Sequence, residues 1–265
     1  MTIEPHASPF PGHEFPQQLP LVDRREPGRP PPWGSRSSEG WTSLTTEEIS
    51  LRLRGHYVVD PSHLPEVNDE LALYQHDQET EVRQSAVLLC LFDSDEGVQI
   101  VLTRRAAHLK NHRHEVAFPG GRCEFDETPT QTAIREAYEE VGLRSDALTI
   151  VGYLTPIVTM ASNSSIFPIV AIHTGKPKFV IDPNEVDRVF TVPLAHLLNV
   201  ESFAEERWWR SSRRPTSADG SFPIYFFKVP GDLVWGATAR ILTEFLEFIS
   251  RETFRKVNFL SVPLN

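Results

Sequence analysis

Cysteine is scarce in this chain of 265 residues, which holds only Cys90 and Cys123. Two cysteines do not make a disulfide scaffold, and a reducing, cytoplasmic setting is the expectation. Cys90 stands in an apolar run and reads as buried; a thiolate at Cys123 would be a poor ligand for a hard cation, so neither is given a catalytic role. Long apolar runs are missing as well. No stretch approaches the roughly 20 residues needed to cross a bilayer and the N-terminus lacks an apolar signal core, so no membrane partner is expected. Basic residues are outnumbered, 26 against 36 acidic ones, for a net charge of −10. That balance, together with the lack of a recognisable helix-turn-helix segment, argues against a nucleic-acid partner. An anionic ligand must then be received by local basic groups and metal, because the overall field repels it.

Apolar residues make up 40% of the chain, ample for a packed core. The opening segment is different: rich in proline, glycine and serine around Pro30, Pro31 and Pro32, it offers little to offset its ordering entropy. Residues 1–44 therefore read as a largely extended or disordered arm, and residues 45–265 as one domain. Thr45 and Glu48 form a capping-box pattern opening a helix to about Arg54. Residues 86–92 and 98–104 are β-branched, apolar runs joined by a hairpin turn at 93–97, and a short strand follows at 115–118. Further strands are expected at 148–155, 166–173, 186–191 and 224–229, with helices at 194–198 and about 237–250. Mixed strands with interspersed helices make an α/β sandwich.

The segment between Gly121 and Leu143 carries the chemistry. Pro119, Gly120 and Gly121 cannot be helical, whereas the residues before Gly142 have helical spacing. Glu136, Glu139 and Glu140 then project from one face, where their mutual repulsion calls for a divalent cation or an ion-pair partner. Hard cations such as Mg²⁺ prefer oxygen ligands and leave room for substrate phosphates. Ile134, Ala137, Tyr138 and Val141 would form an apolar stripe on the other side, and Gly142 would close the helix. Arg135 is placed to pair with Glu127 through its planar fork.

Gly121, Glu127, Arg135, Glu136, Glu139, Glu140, Gly142 and Leu143 fit, position for position, the pattern of the Nudix hydrolases, which this chain resembles. The resemblance implies a mixed β-sheet sandwiched between α-helices, Mg²⁺ or Mn²⁺ as cofactor, Glu136, Glu139, Glu140 and the Gly120 carbonyl as metal ligands, and catalytic roles for Glu127, Arg135, Glu139 and Glu140. The upstream stretch Leu102 to Arg105 with Leu109, His112 and 115–121, and the downstream stretches 184–194 and 235–242, are similar to the coenzyme A pyrophosphatase branch. That branch implies hydrolysis of coenzyme A or acyl-coenzyme A to 3′,5′-ADP and (acyl-)4′-phosphopantetheine.

Two positions depart from the branch: His114 stands where it usually has glycine, and Glu124 where it has aspartate. A side chain at 114 either crowds the loop or requires a different turn. Arg104, Arg105, Lys110, His112 and Arg113 form a basic cluster before the turn; with Gly120 and Gly121, Arg104, Arg105 and His112 are the substrate-binding candidates. Glu139 ranks ahead of Glu185 as general base. Trp208 and Trp209 offer either an adenine-stacking surface, an oligomer contact or packing at a domain edge. The partner is a small-molecule nucleotide, with a homodimer left open. Two alternatives remain at this stage: a Nudix pyrophosphatase acting on ADP-ribose or another nucleoside diphosphate derivative, and a non-catalytic nucleotide sensor of the same fold.

Overall fold

The structure, a computed structural model, describes residues 8–34, 41–54, 83–159, 164–209 and 219–251. In chain order the elements are β1 (Arg24–Pro27), α1 (Thr46–Arg54), β2 (Arg83–Ser94), β3 (Gly97–Arg105), β4 (Val116–Ala117), β5 (Gly120–Arg122), α2 (Pro129–Val141), β6 (Leu148–Tyr153), β7 (Ile157–Thr159), β8 (Ser164–His173), β9 (Val186–Pro193), α3 (Leu194–Leu198), β10 (Phe203–Trp209), β11 (Phe222–Val229), β12 (Asp232–Trp235) and α4 (Gly236–Ser250). Among the described residues no helix is long and apolar enough to cross a membrane.

Strand β2 organises the larger sheet. One of its edges pairs in parallel with β8, which also pairs with β6 and β7 in the antiparallel sense. Along the other edge, Leu91 to Ser94 pair with β3, and then the two strands part. Ser85 to Val87 pair instead with β5, while Thr103 and Arg104 of β3 pair with β4. The β4–β5 segment is therefore wedged between diverging strands, and the Leu88 N–H donates to the Pro119 carbonyl at 2.8 Å inside that wedge. Strand β9 covers the far edge of β3.

Side chains alternate across this sheet, as strand geometry requires. Ala86, Leu88, Cys90 and Phe92 pack against Ala133, Ala137 and Val141 of α2. Leu89 and Leu91 join the core on the opposite face with Ile49 and Leu53 of α1 and Leu242, Phe245 and Leu246 of α4. A mixed sheet between helices, the architecture expected from the sequence, is what forms. The stripe on α2 is shifted from expectation: Ala133 takes the core position assigned to Tyr138, which is 60% exposed. Residues four apart, 133, 137 and 141, define a line along the helix that 138 lies off. Burial pushes the Cys90 thiol up to about 12, in keeping with an inert core residue.

A second sheet has the order β1-β10-β11-β12; of its strands the sequence predicts only β11, because β10 carries Glu205, Glu206 and Arg207 in a row at its centre. The opening segment, expected to be a largely extended or disordered arm, packs on the rest of the chain where it is described. Over 8–34 it is extended but packed: β1 pairs antiparallel with β10, Phe10 is buried against Trp208, Phe222, Phe226 and Leu233, and Trp33 donates its indole N–H to the Leu198 carbonyl at 2.8 Å. Composition understated how much surface a few aromatic anchors remove from water. Trp208, buried with its N–H on Glu206, belongs to this core rather than to a stacking surface. Trp209 lies under the Arg24 guanidinium at 4.5 Å. Arg213, Arg214 and Pro215, expected to form a loop, lie outside the described residues.

Candidate active site

Helix α2 is fixed at both ends by its own sequence. Thr128 and Gln131 form a reciprocal capping box with Pro129 at the first turn, and Gly142, at φ 76°, ends the helix while its N–H reaches the carbonyls of Ala137 and Tyr138. Glu136 and Glu140, one turn apart, face the glycine turn. A Cβ on Gly121 would come within 2.3 Å of the Glu136 carboxylate, and one on Gly120 within 2.3 Å of the Ala86 carbonyl. Backbone on two sides and a φ of 157° require glycine at 120, whereas a side chain at 121 would push the Glu136 carboxylate out of its place. The Gly120 N–H donates to Glu140 Oε2 at 3.1 Å.

A third carboxylate arrives from far along the chain. The loop before β9 docks on the end of α2 through the Val180 and Asp182 N–H groups, each 3.0 Å from the carbonyls of Val141 and Glu140 respectively. This brings in Glu185, and oxygens of Glu136, Glu140 and Glu185 lie within 4.8 Å of one another. Glu140 is 3% exposed, and desolvation raises its pKa to about 8 despite the Gly120 N–H and Arg105, whose Nη1 is 3.9 Å away. Burial also raises Glu136, with Glu185 and Glu139 adding repulsion. Burial is the main cause of both shifts, and the neighbouring carboxylates add to it. The all-oxygen donor set suits a hard cation such as Mg²⁺ or Mn²⁺.

Arg135 braces the arrangement. Its fork takes both oxygens of Glu127, at 2.9 and 3.0 Å, while Nη1 reaches Glu136 and Glu139 at 3.0 Å each. The guanidinium, with the Glu124 N–H and the Thr132 hydroxyl, holds Glu127 down to about 2. The pairing of Glu127 with Arg135 is thus as the spacing implied.

Residues 82–216 match the family model described as the NUDIX domain, and this span covers β2, the glycine turn, α2 and Glu185. The chain belongs to the Nudix family. Over 169 residues it is 36% identical to the Nudix hydrolase 15, mitochondrial, of Arabidopsis thaliana, covering 60% of this chain and 56% of that protein. Over 183 residues it is 30% identical to Nudix hydrolase 3 of Caenorhabditis elegans, covering 64% and 75%. Identity to the Nudix hydrolase NudL of Photorhabdus laumondii is 33% over 161 residues, covering 60% and 81%. The chain spans little more than half the length of the Arabidopsis relative it matches.

Of the residues singled out from the Nudix pattern, Glu136, Glu140, Gly120, Gly121 and Arg105 are brought together. Glu139 is not: its carboxylate is 56% exposed and engaged by Arg135. Arg104 is held between Asp187 at 2.8 Å and the fully buried Asp232 at 3.2 Å. His112 pairs with Glu115 at 2.9 Å, which raises its pKa. His114 keeps the glycine-like backbone itself, at φ 62°. From sequence Glu185 is only a second-choice base; no local spacing announces it as a member of the cluster, because the docking of its loop on α2 sets its place.

Proposed function

We propose that this chain is a metal-dependent Nudix pyrophosphohydrolase that cleaves the pyrophosphate of coenzyme A or an acyl-coenzyme A, releasing 3′,5′-ADP and (acyl-)4′-phosphopantetheine. The observation that carries the hydrolase reading is the convergence of Glu136, Glu140 and Glu185 beside the Gly120–Gly121 turn. A bound Mg²⁺ or Mn²⁺ would neutralise phosphate charge and acidify water there. Glu136, Glu140 and Glu185 are the residues to hold it, with Glu139 and the Gly120 carbonyl as the further ligands that the family pattern implies. The Gly120 N–H and Arg135 hold Glu140 and Glu136 in place, and Arg105 offers positive charge to an incoming phosphate. Glu139 and Glu185, both exposed, are the carboxylates from which a general base is drawn. Coenzyme A as substrate rests on the segments around Leu102–Arg105, 115–121, 184–194 and 235–242, and a cytoplasmic setting on the scarcity of cysteine.

The test is incubation of the purified chain with Mg²⁺ or Mn²⁺ and, at equal concentration, coenzyme A, an acyl-coenzyme A, ADP-ribose, a dinucleotide and a nucleoside triphosphate, with products resolved by mass. A matched pair of 3′,5′-ADP and phosphopantetheine fragments is expected. Strong preference for ADP-ribose moves the substrate assignment elsewhere in the family. Tight nucleotide binding without turnover of any compound replaces the hydrolase with a sensor.

A further inference from the structure

The loop between β3 and β4 carries Lys110, His112 and Arg113, all exposed. Its two ends are held in different ways. At the first, the Ala106 N–H donates to the Glu185 carbonyl at 2.9 Å and the His108 ring meets the Asn184 carbonyl at 3.0 Å, so the loop leans on the segment that bears the third carboxylate. At the second, the His114 N–H donates to the Arg105 carbonyl at 3.2 Å, closing the loop next to the residue that pairs with Glu140. His112 and His114 both have left-handed backbones, at φ 56° and 62°. Non-glycine residues persist there only where the surroundings hold them.

What holds His114 comes from the opening segment. Gln17, 7% exposed, donates from Nε2 to the His114 carbonyl at 2.8 Å and to Asp232 Oδ1 at 2.7 Å, while its Oε1 accepts the Leu233 N–H at 2.8 Å. Every polar atom of this amide that can bond is thereby used, and the partner carboxylate is itself anchored by Arg104 and Arg188 at 3.2 Å each. A saturated, buried amide joining three separate parts of the chain restricts all of them. We infer that Gln17 is a positioning residue: by tying the His114 carbonyl to β12, it holds the basic loop beside the carboxylate cluster, where that loop receives the anionic substrate. This rests on the hydrolase reading given above.

The experiment compares full-length Q17L with wild type and with W33F. The second variant removes another buried hydrogen bond of the same segment, that to Leu198, without touching the loop. In Q17L, KM for the pyrophosphate substrate that wild type cleaves should rise about tenfold while kcat stays within about threefold, because loop contacts bind ground and transition states alike. Hydrogen exchange without substrate should be faster across 106–115 in Q17L than in wild type or W33F. Gln17→Glu, which sets a second acid against Asp232, should behave like Q17L or worse. Equal KM and equal exchange in Q17L and wild type overturn the assignment, as does the same KM shift in W33F, which marks general loosening. A wild type that cleaves no pyrophosphate compound overturns the hydrolase reading and the kinetic role with it, whereas unchanged exchange in Q17L with an active wild type overturns the tether alone.

Discussion

The α2 region and the opening segment are both held by buried polar groups at the edge of an apolar core, yet they are specified in opposite ways. Around α2 the determinants are consecutive: a cap at Thr128, a stripe at Ala133, Ala137 and Val141, and a closing Gly142. Over residues 8–34 the anchors are scattered, Phe10 and Trp33 into two different cores and Gln17 between a loop and β12. The first region would tolerate loss of a distant partner better than loss of one of its own residues. The second depends wholly on partners elsewhere in the chain.

The sharpest break of that comparison is Glu140→Gln. Turnover should fall by about three orders of magnitude or more, since a carboxylate of the proposed cation site is lost, while the amide keeps the shape of the site. Steady-state rates with thermal unfolding of the same sample decide it, and near-normal turnover would sink the cluster as the reaction centre. Next is Phe10→Ala, expected to cost about 3 kcal/mol in denaturant unfolding because it empties a buried site beside Trp208 and Phe226. Unchanged stability would return the segment to a loose tail. Arg135→Ala should cost on the order of 2 kcal/mol, leaving Glu127 without its guanidinium, and Arg135→Lys should restore little because one ammonium cannot replace a fork. Full recovery by lysine would show that charge alone matters.

The remaining effects are those of pH. Glu140 is raised from an ordinary 4.5 to about 8, so the folded chain binds the proton more tightly than the unfolded one. Stability of the metal-free protein should therefore decline as pH rises from about 4.5 to 8, and added Mg²⁺ should stabilise more at pH 8.5 than at pH 6. Glu127 runs the other way: held near 2, it contributes stability above 4.5 that is lost as pH falls toward 2. Melting temperatures across pH with and without Mg²⁺ test both, and a metal-free protein of constant stability from pH 5 to 8 would contradict the raised Glu140.

Much of the sheet and the helices was legible in the sequence, because the apolar runs of β2, β3 and β8 and the capped periodicity of α2 are local signals. The Glu127–Arg135 pair and the glycine turn were legible for the same reason. Glu185 was not, since its position follows from a loop docking on the free carbonyls of α2. Asp232 and Gln17 gave no sign either: each is a single polar residue whose meaning lies in partners far along the chain. Strand β10 was hidden by the consecutive charges Glu205, Glu206 and Arg207, of which Glu206 turns inward to meet the Trp208 indole N–H.

The parting of β2 from β3 has an evolutionary consequence. Because β4 and β5 are laced into that gap by backbone ladders of their own, the turn beneath the carboxylates does not rely on the intervening loop for its shape. Residues 109–113 hang outside the ladder, and their length and charge can change while the carboxylate cluster stays put. New ligand preferences can thus be tried at this rim without rebuilding the carboxylate cluster below.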